Sequence, residues 1–95
     1  MYKTLFFIYK NDSGFVNYFK ENFLPLLSEI NGKEVKLASV ESNLLSDIKF
    51  SHFCEITATT KDEMDSKFNS PAGRKLGKLL IELFQKILVI NVSYE

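Results

Sequence analysis

A proline and a glycine interrupt the last third of the chain, inside a stretch whose other residues favour a helix. Pro71 and Gly73 lie within the segment 69–80, NSPAGRKLGKLL. Ser70 is a good helix N-cap, and proline at the first helical position loses no hydrogen bond, because that N–H has no partner within the helix. The pattern therefore predicts two helices that meet at a corner, with Gly73 allowing close packing there.

The spacing of apolar residues predicts the other elements. Phe15, Phe19 and Phe23 begin a helical stripe that continues to Ile30, and Pro25 is expected to kink or restart this helix. Asp12 or Ser13 is its expected N-cap and Asn31-Gly32 its end, while Thr60 and Glu63 predict a second helical start at about Lys61. Alternating or β-branched runs predict strands over 2–10, 35–40, 53–59 and 86–94.

The order of these elements predicts the fold class. A β-α-β-β-α-β chain of 95 residues is typical of an α+β, ferredoxin-like domain with a four-stranded antiparallel sheet and helices on one face. No repeat, linker or low-complexity tract divides the chain, so residues 1–95 are expected to form a single domain.

Strand faces predict a second buried surface. In the last strand we expect the wholly apolar set to face the helices: Leu88, Ile90, Val92 and Tyr94. The mixed set is then expected on the other face: Ile87, Val89, Asn91 and Ser93. Because the first strand is apolar on both faces, this second face predicts either a homodimer through the sheet or a cover formed by the loop around residues 41 to 51.

Composition excludes several classes of function. Twelve basic and twelve acidic residues cancel, which argues against nucleic acid and anionic membrane as partners. The N-terminal apolar run is too short for a signal peptide or a membrane span, and the single Cys54 favours a reducing, cytoplasmic compartment. One histidine and one cysteine cannot form a His/Cys metal site, although a carboxylate site stays open.

Two segments resemble the EthD-like family of the dimeric α/β-barrel superfamily. Residues 54–79, CEITATTKDEMDSKFNSPAGRKLGKL, are similar to that family's strand with a glutamate, short helix and S-P-E-G corner; Glu55 matches the glutamate. Residues 15–30, FVNYFKENFLPLLSEI, resemble its aromatic-rich first helix ending in H-x-P-L. Ala72 replaces the usual acidic residue of the corner, and Phe23 stands where the family usually has histidine.

The resemblance implies a ferredoxin-like protomer, a dimer joined through its sheets and a small apolar pocket beside the sheet. The superfamily includes cofactor-free monooxygenases, isomerases and lyases, as well as many members with no assigned activity. We therefore expect no cofactor. A small apolar or aromatic compound, and a second copy of the chain, are the expected partners.

Five residues are candidates for a site. His52 is expected on the helix-facing side with Cys54, either as a general acid or base or as a surface histidine at a loop end. Glu55 is either a proton shuttle or the partner of a lysine across the dimer. Tyr9, Tyr18 and Phe23 are expected to line a ligand pocket, with ordinary core packing as the alternative.

Two functions remain from the sequence. The first is a small-molecule protein with an apolar pocket between helices and sheet, acting by cofactor-free proton transfer of the isomerase, lyase or monooxygenase type. The alternative is a non-catalytic ligand-binding or dimerisation domain. Phenylalanine side chains filling the space between helices and sheet favour the alternative, whereas an open pocket with His52 or Tyr18 at its wall favours the first.

Overall fold

A computed structural model describes residues 1–10, 13–41 and 49–94 of the chain. Within these residues, strands and helices follow the predicted order, with each predicted helical region divided in two. The elements are β1 (Tyr2–Tyr9), α1 (Ser13–Asn22), α2 (Leu24–Asn31), β2 (Ala38–Ser39), β3 (Phe50–Ala58), α3 (Lys61–Phe68), α4 (Pro71–Glu82) and β4 (Ile87–Ser93). None of the helices in these ranges is long and apolar enough to cross a membrane.

The described strands form one antiparallel sheet in the order β2-β3-β1-β4, so β1 and β3 are central. This order is the one that a β-α-β-β-α-β chain gives in a ferredoxin-like fold, and the predicted fold class is confirmed. The helices pack on one face of the sheet, which leaves the opposite face, called here the outer face, without a covering layer in the described part of the chain.

The first helical region divides at Phe23, as Pro25 predicts. α1 ends at Asn22 and α2 starts at Leu24, with the proline in the first turn, where its missing N–H breaks no helical hydrogen bond. Gly32 closes α2 at a φ of 80°, a left-handed conformation that glycine adopts without strain. Asp12, one of the two expected N-caps, and residues 42–48 of the connection before β3 lie outside the described residues.

The corner between α3 and α4 is built as predicted. The Ser70 hydroxyl accepts a hydrogen bond from the Gly73 N–H at 3.1 Å and donates one to the Lys67 carbonyl at 2.6 Å. A Cβ at position 73 would overlap the backbone carbonyl of Phe68, so only glycine permits this approach of the two helices. At the start of α3, Thr60 caps the helix by accepting from the Glu63 N–H at 3.1 Å.

β2 is much shorter than the predicted strand over 35–40. The Val35 side chain is buried, and its N–H donates to the Ser28 hydroxyl of α2 at 2.9 Å. Val35 is thus held against α2, and the chain pairs with β3 at Ala38 and Ser39, after which the Val40 N–H donates to the Ser51 carbonyl at 2.9 Å. β3, in contrast, starts three residues earlier than predicted, so His52 lies inside the strand rather than before it.

Two side chains cover the part of β3 that β2 does not reach. The Asn31 side-chain oxygen accepts from the Thr57 N–H at 3.1 Å, and Lys67 Nζ donates to the Thr57 carbonyl at 2.8 Å. Lys67 also lies 3.9 Å from a carboxylate oxygen of Glu63, one helical turn earlier. The two polar groups of the Thr57 backbone on this edge are therefore both satisfied without a neighbouring strand.

The expected faces of β4 were wrong. The register with β1 and β3 places Ile87, 4% exposed, on the helix-facing side, together with Val89, Asn91 and Ser93. Asn91 and Ser93 on this side are exposed, which explains why polar residues are tolerated there. Asn91 also accepts a hydrogen bond at 2.7 Å from the hydroxyl of the buried Thr4. The wholly apolar set of β4 lies on the outer face instead.

Candidate functional site

The space between the helices and the sheet is filled by aromatic side chains. Phe6 of β1, Phe19 of α1 and Phe23 at the helix junction are fully buried. The rings of Phe19 and Phe23 stack with centroids 5.0 Å apart and an interplanar angle of 4°. Ile8 and Leu27, also fully buried, complete the packing around them. The position where the EthD-like family usually has histidine is here part of a close-packed apolar core.

Two of the hollows that the described residues form lie beside β3, at the margin of the fold. One of about 430 Å³ lies beside the end of β3, next to Lys67 and Asn31. Another of about 340 Å³ follows the β2 side of β3 and includes Glu55 in its lining. Both are lined largely by polar and charged side chains, unlike the apolar pocket expected between helices and sheet.

His52 lies on the helix-facing side of β3, opposite Ile8 of β1. Its side chain is half-buried, and Nδ1 lies 2.8 Å from the Ser51 hydroxyl oxygen. This hydrogen bond orients the imidazole ring, whichever of the two groups donates. The next residue on the same side, Cys54, is buried, and this burial raises the pKa of its thiol to about 12, so the thiol is neutral and unreactive at neutral pH.

Glu55 lies on the outer face, so it projects to the opposite side of β3 from His52. Lys3 Nζ donates to its carboxylate at 3.2 Å and lies 5.3 Å from the centroid of the Tyr94 ring. The hydrogen bond to Glu55 raises the pKa of Lys3 above its ordinary value. The lysine that pairs with Glu55 thus lies in the same chain, on the neighbouring strand, whereas the sequence suggested a lysine across the dimer.

The three expected ligand-binding residues lie in three different surroundings. Tyr9 lies on the outer face, with its ring centroid 5.0 Å from that of Phe50. Tyr18, 39% exposed, projects from α1, and its ring centroid lies 6.3 Å from that of Phe23 in an edge-to-face arrangement. Phe23 itself is buried in the core. The structure thus does not bring these residues, His52 and Glu55 together around one cavity.

The residues that the structure does bring together form an aromatic cluster on the outer face. The Phe7 ring centroid lies 5.0 Å from the centroids of both Phe50 and Phe53, and Phe50 also contacts Tyr9. Phe50 reaches this face because of an irregularity in the β1–β3 ladder: Ile8 pairs with His52, but Tyr9 pairs with Phe50, so that Ser51 is an extra residue. Strict alternation would place Phe50 on the same side as His52.

The outer face as a whole is broad and apolar. Nine large apolar or aromatic residues occupy it, with the Lys3–Glu55 ion pair among them: Leu5, Phe7, Tyr9, Phe50, Phe53, Leu88, Ile90, Val92 and Tyr94. All of them are at least partly exposed. Within residues 1–10, 13–41 and 49–94, no cluster of three or more histidine, cysteine or acidic side chains is placed to bind a metal ion.

The fold recurs in proteins of known structure that have little sequence identity with this chain. An EthD (ethyl tert-butyl ether D) family protein from Bacillus halodurans matches with a TM-score of 0.77 and 16% identity, over 100% of both chains. A protein from Arabidopsis thaliana matches with a TM-score of 0.68 and 16% identity, over 99% of this chain and 94% of that one. HapK from Hahella chejuensis matches with a TM-score of 0.58 and 9% identity, over 100% and 93%.

These likenesses confirm the resemblance to the EthD-like family at the level of the fold. No protein-family model matches the sequence, and no curated protein matches it.

Proposed function

We propose that this chain is a self-assembling domain of the EthD-like fold, which forms a homodimer through the outer face of its sheet. The observation that carries this proposal is the composition of that face, where large apolar side chains from β1, β3 and β4 form a continuous surface. The EthD-like resemblance supports the same association, because it implies a dimer joined through its sheets.

The size of the face is compatible with a small interface. β1 and β3 each present four residues outward, and β4 presents three, with Tyr94 following as a fourth. With strands about 4.8 Å apart and residues of the same face about 6.8 Å apart, the flat area is roughly 400 Å² per copy. Apolar patches of about this size on soluble proteins often mark binding surfaces. Association through this face removes the apolar part of its area from water, which favours the dimer.

The Lys3–Glu55 ion pair is compatible with burial at this interface. An unpaired carboxylate under a second copy would be strongly destabilising, but Glu55 already accepts from Lys3 at 3.2 Å within the same chain. Two such pairs related by a two-fold axis add a polar constraint to an otherwise apolar surface. We infer that they help to fix how the two sheets are positioned relative to each other.

The packing of the core supports assembly over turnover between helices and sheet. Phe19 and Phe23 fill the volume in which the small-molecule hypothesis requires a pocket. His52 and Glu55 lie on opposite sides of β3, so they cannot act together on one substrate from the same side. The role of His52 as a general acid or base stays a prediction, and the dimerisation hypothesis is the one that the geometry supports best.

The proposal is tested by the mass of the particle in solution. Phe53 contacts Phe7 at the centre of the outer face, so Phe53→Glu places a charge where the second copy packs. Asn17→Glu introduces the same charge at an exposed position on α1, in the opposite layer. In light scattering at micromolar concentration, we expect Phe53→Glu to halve the mass of the wild-type particle and Asn17→Glu to leave it unchanged. A wild-type mass of 11.0 kDa, that of one chain, refutes the proposal.

A further inference from the structure

The two edges of the sheet differ in how accessible they are to a further strand. On the β2 side, the edge strand is two residues long, and Asn31 and Lys67 satisfy the backbone of β3 beyond it. Charged residues precede β2 as well, at Lys33, Glu34 and Lys36. Short edge strands, lysines and covering side chains are the usual means by which proteins prevent a further strand from pairing. This edge is closed to sheet extension.

The other edge, β4, has none of these features. It pairs with β1 over seven consecutive residues without a register shift, and the sequence ILVINVS contains no charge, proline or glycine. The hydrogen bonds of Tyr94 N–H to Met1 and of Tyr9 N–H to Lys86 show that even-numbered residues of β4 direct their backbone groups towards β1. The odd-numbered residues, from Ile87 to Ser93, therefore direct theirs outward, and no described residue binds them.

Apolar side chains continue from this edge onto the helix layer. Ile81 and Phe84, 77% and 68% exposed, lie at the end of α4 and beyond it. Together with Val89 of β4 they form part of a shallow apolar hollow of about 370 Å³. A strand added to β4 would have its helix-facing side chains next to this hollow, so backbone pairing and apolar contact would occur on the same surface.

We propose that β4 pairs antiparallel with β4 of a second copy, and that this edge is an interface separate from the outer face. The register that matches every outward backbone group places Val89 opposite Asn91 of the second copy and Ile87 opposite Ser93. In an antiparallel ladder each hydrogen-bonded pair exchanges two bonds, so this register gives about eight between the copies. The two sheets then continue into each other across a two-fold axis.

A second copy fits this edge by its side chains as well as its backbone. In the proposed register Ile90 meets Ile90 on the two-fold axis, and Leu88 meets Val92 on the same face. Residues directly opposite each other in an antiparallel pair have Cβ atoms about 5 Å apart, so these apolar side chains would be in contact. Because β4 carries no charge, nothing in the strand repels an identical strand, and the overall charge of zero adds no repulsion between copies.

The proposal is tested with a substitution that acts on the free edge alone. Val89→Pro removes an outward N–H but no hydrogen bond of the β1–β4 ladder, and proline is tolerated in edge strands at such positions. Val89→Thr keeps the N–H and the β-branched shape and is the matched control. In sedimentation equilibrium over a concentration series, we expect wild type and Val89→Thr to form a particle twice the mass of Val89→Pro. Circular dichroism of each variant checks that it is folded.

Phe53→Glu separates this interface from the one proposed for the outer face. If both interfaces form and close a tetramer with two perpendicular two-fold axes, Phe53→Glu and Val89→Pro each halve the wild-type mass, and the double variant is a monomer. If only the edge pairs, Val89→Pro alone changes the mass. If wild type and Val89→Pro have equal masses, the edge proposal is wrong, whatever the mass of Phe53→Glu. The same result is expected if the natural partner of the edge is a strand of another protein, and it refutes pairing with a second copy.

Amide hydrogen exchange tests the register directly. The N–H groups of Leu88, Ile90 and Val92 bond β1 and should be protected at every protein concentration. Those of Val89 and Asn91 should exchange at least tenfold more slowly at the concentration where the larger particle forms than at one where it has dissociated. Fast exchange of Val89 and Asn91 in the larger particle contradicts pairing through this edge.

Discussion

Removing the Phe23 ring tests the conclusion that the space between helices and sheet is filled. Phe23 lies at the junction of α1 and α2, is fully buried, and stacks on Phe19 with ring centroids 5.0 Å apart. In Phe23→Ala the surrounding core can collapse only partly, because neighbouring side chains are held by both the helices and the sheet. A cavity the size of most of a phenyl ring is therefore expected.

The expected loss of stability follows from this burial. Truncation of a buried phenylalanine to alanine typically costs about 3–5 kcal/mol, which includes the lost stacking. A domain of 95 residues has a free energy of unfolding of roughly 5–14 kcal/mol, at about 0.05–0.15 kcal/mol per residue. The variant should thus lose at least a fifth of its stability. Its melting temperature should fall by on the order of 15 °C or more.

Urea unfolding followed by circular dichroism measures the effect. Wild type and variant must be compared at one protein concentration, because self-association adds to apparent stability. Tyr18→Ala is the control, since its ring touches Phe23 but is 39% exposed, and about 1 kcal/mol or less is expected. If Phe23→Ala costs no more than Tyr18→Ala, the interior is not closed by this ring, and the small-molecule hypothesis regains its pocket.

Two further predictions concern Gly73 and Cys54. Gly73→Ala should lower the free energy of unfolding by about 1–3 kcal/mol, because its Cβ overlaps the Phe68 carbonyl. Gly77→Ala in the same helix, where a Cβ meets nothing within 4 Å, should raise it by about 0.5–1 kcal/mol; equal effects in urea unfolding refute the packing argument. Burial raises the pKa of the Cys54 thiol from 9.0 to about 12, so the native state keeps a proton that the unfolded chain releases. The free energy of unfolding should fall between pH 9 and 12, and more steeply in wild type than in Cys54→Ala; parallel pH profiles would contradict this.

The helix ends and junctions were predictable because their signals are local. Pro25, Gly32, Thr60 and Ser70 each act within a few residues of their own position in the chain. Proline and glycine impose their φ preferences, and the two hydroxyl residues cap the N–H groups of the next turn, whatever the rest of the fold does. These positions, with the strand order, were enough for the fold class.

Features that depend on contacts distant in the chain were not predictable. The Val35 segment reads as a strand, but it bonds Ser28 of α2 instead of a sheet neighbour, and nothing near Val35 indicates this. The pattern of β4 predicted the wrong face for contact with the helices, because large apolar residues occur on both of its faces. The register with β1 decides which one meets the helices, and the extra residue Ser51 likewise turns Phe50 to the outer face. The aromatic cluster there is therefore visible only once the strands are paired.

The coverage of Thr57 by Asn31 and Lys67 limits how far such a sheet can grow. With one edge closed and one open among the described residues, each subunit can extend the sheet at one edge only. A second copy on β4 occupies that edge, so a sheet extended in this way ends after two subunits. A subunit with two open edges would instead be divalent and would polymerise into fibres. One lysine and one asparagine, remote from β4, thus limit a sheet that grows by edge pairing to two subunits.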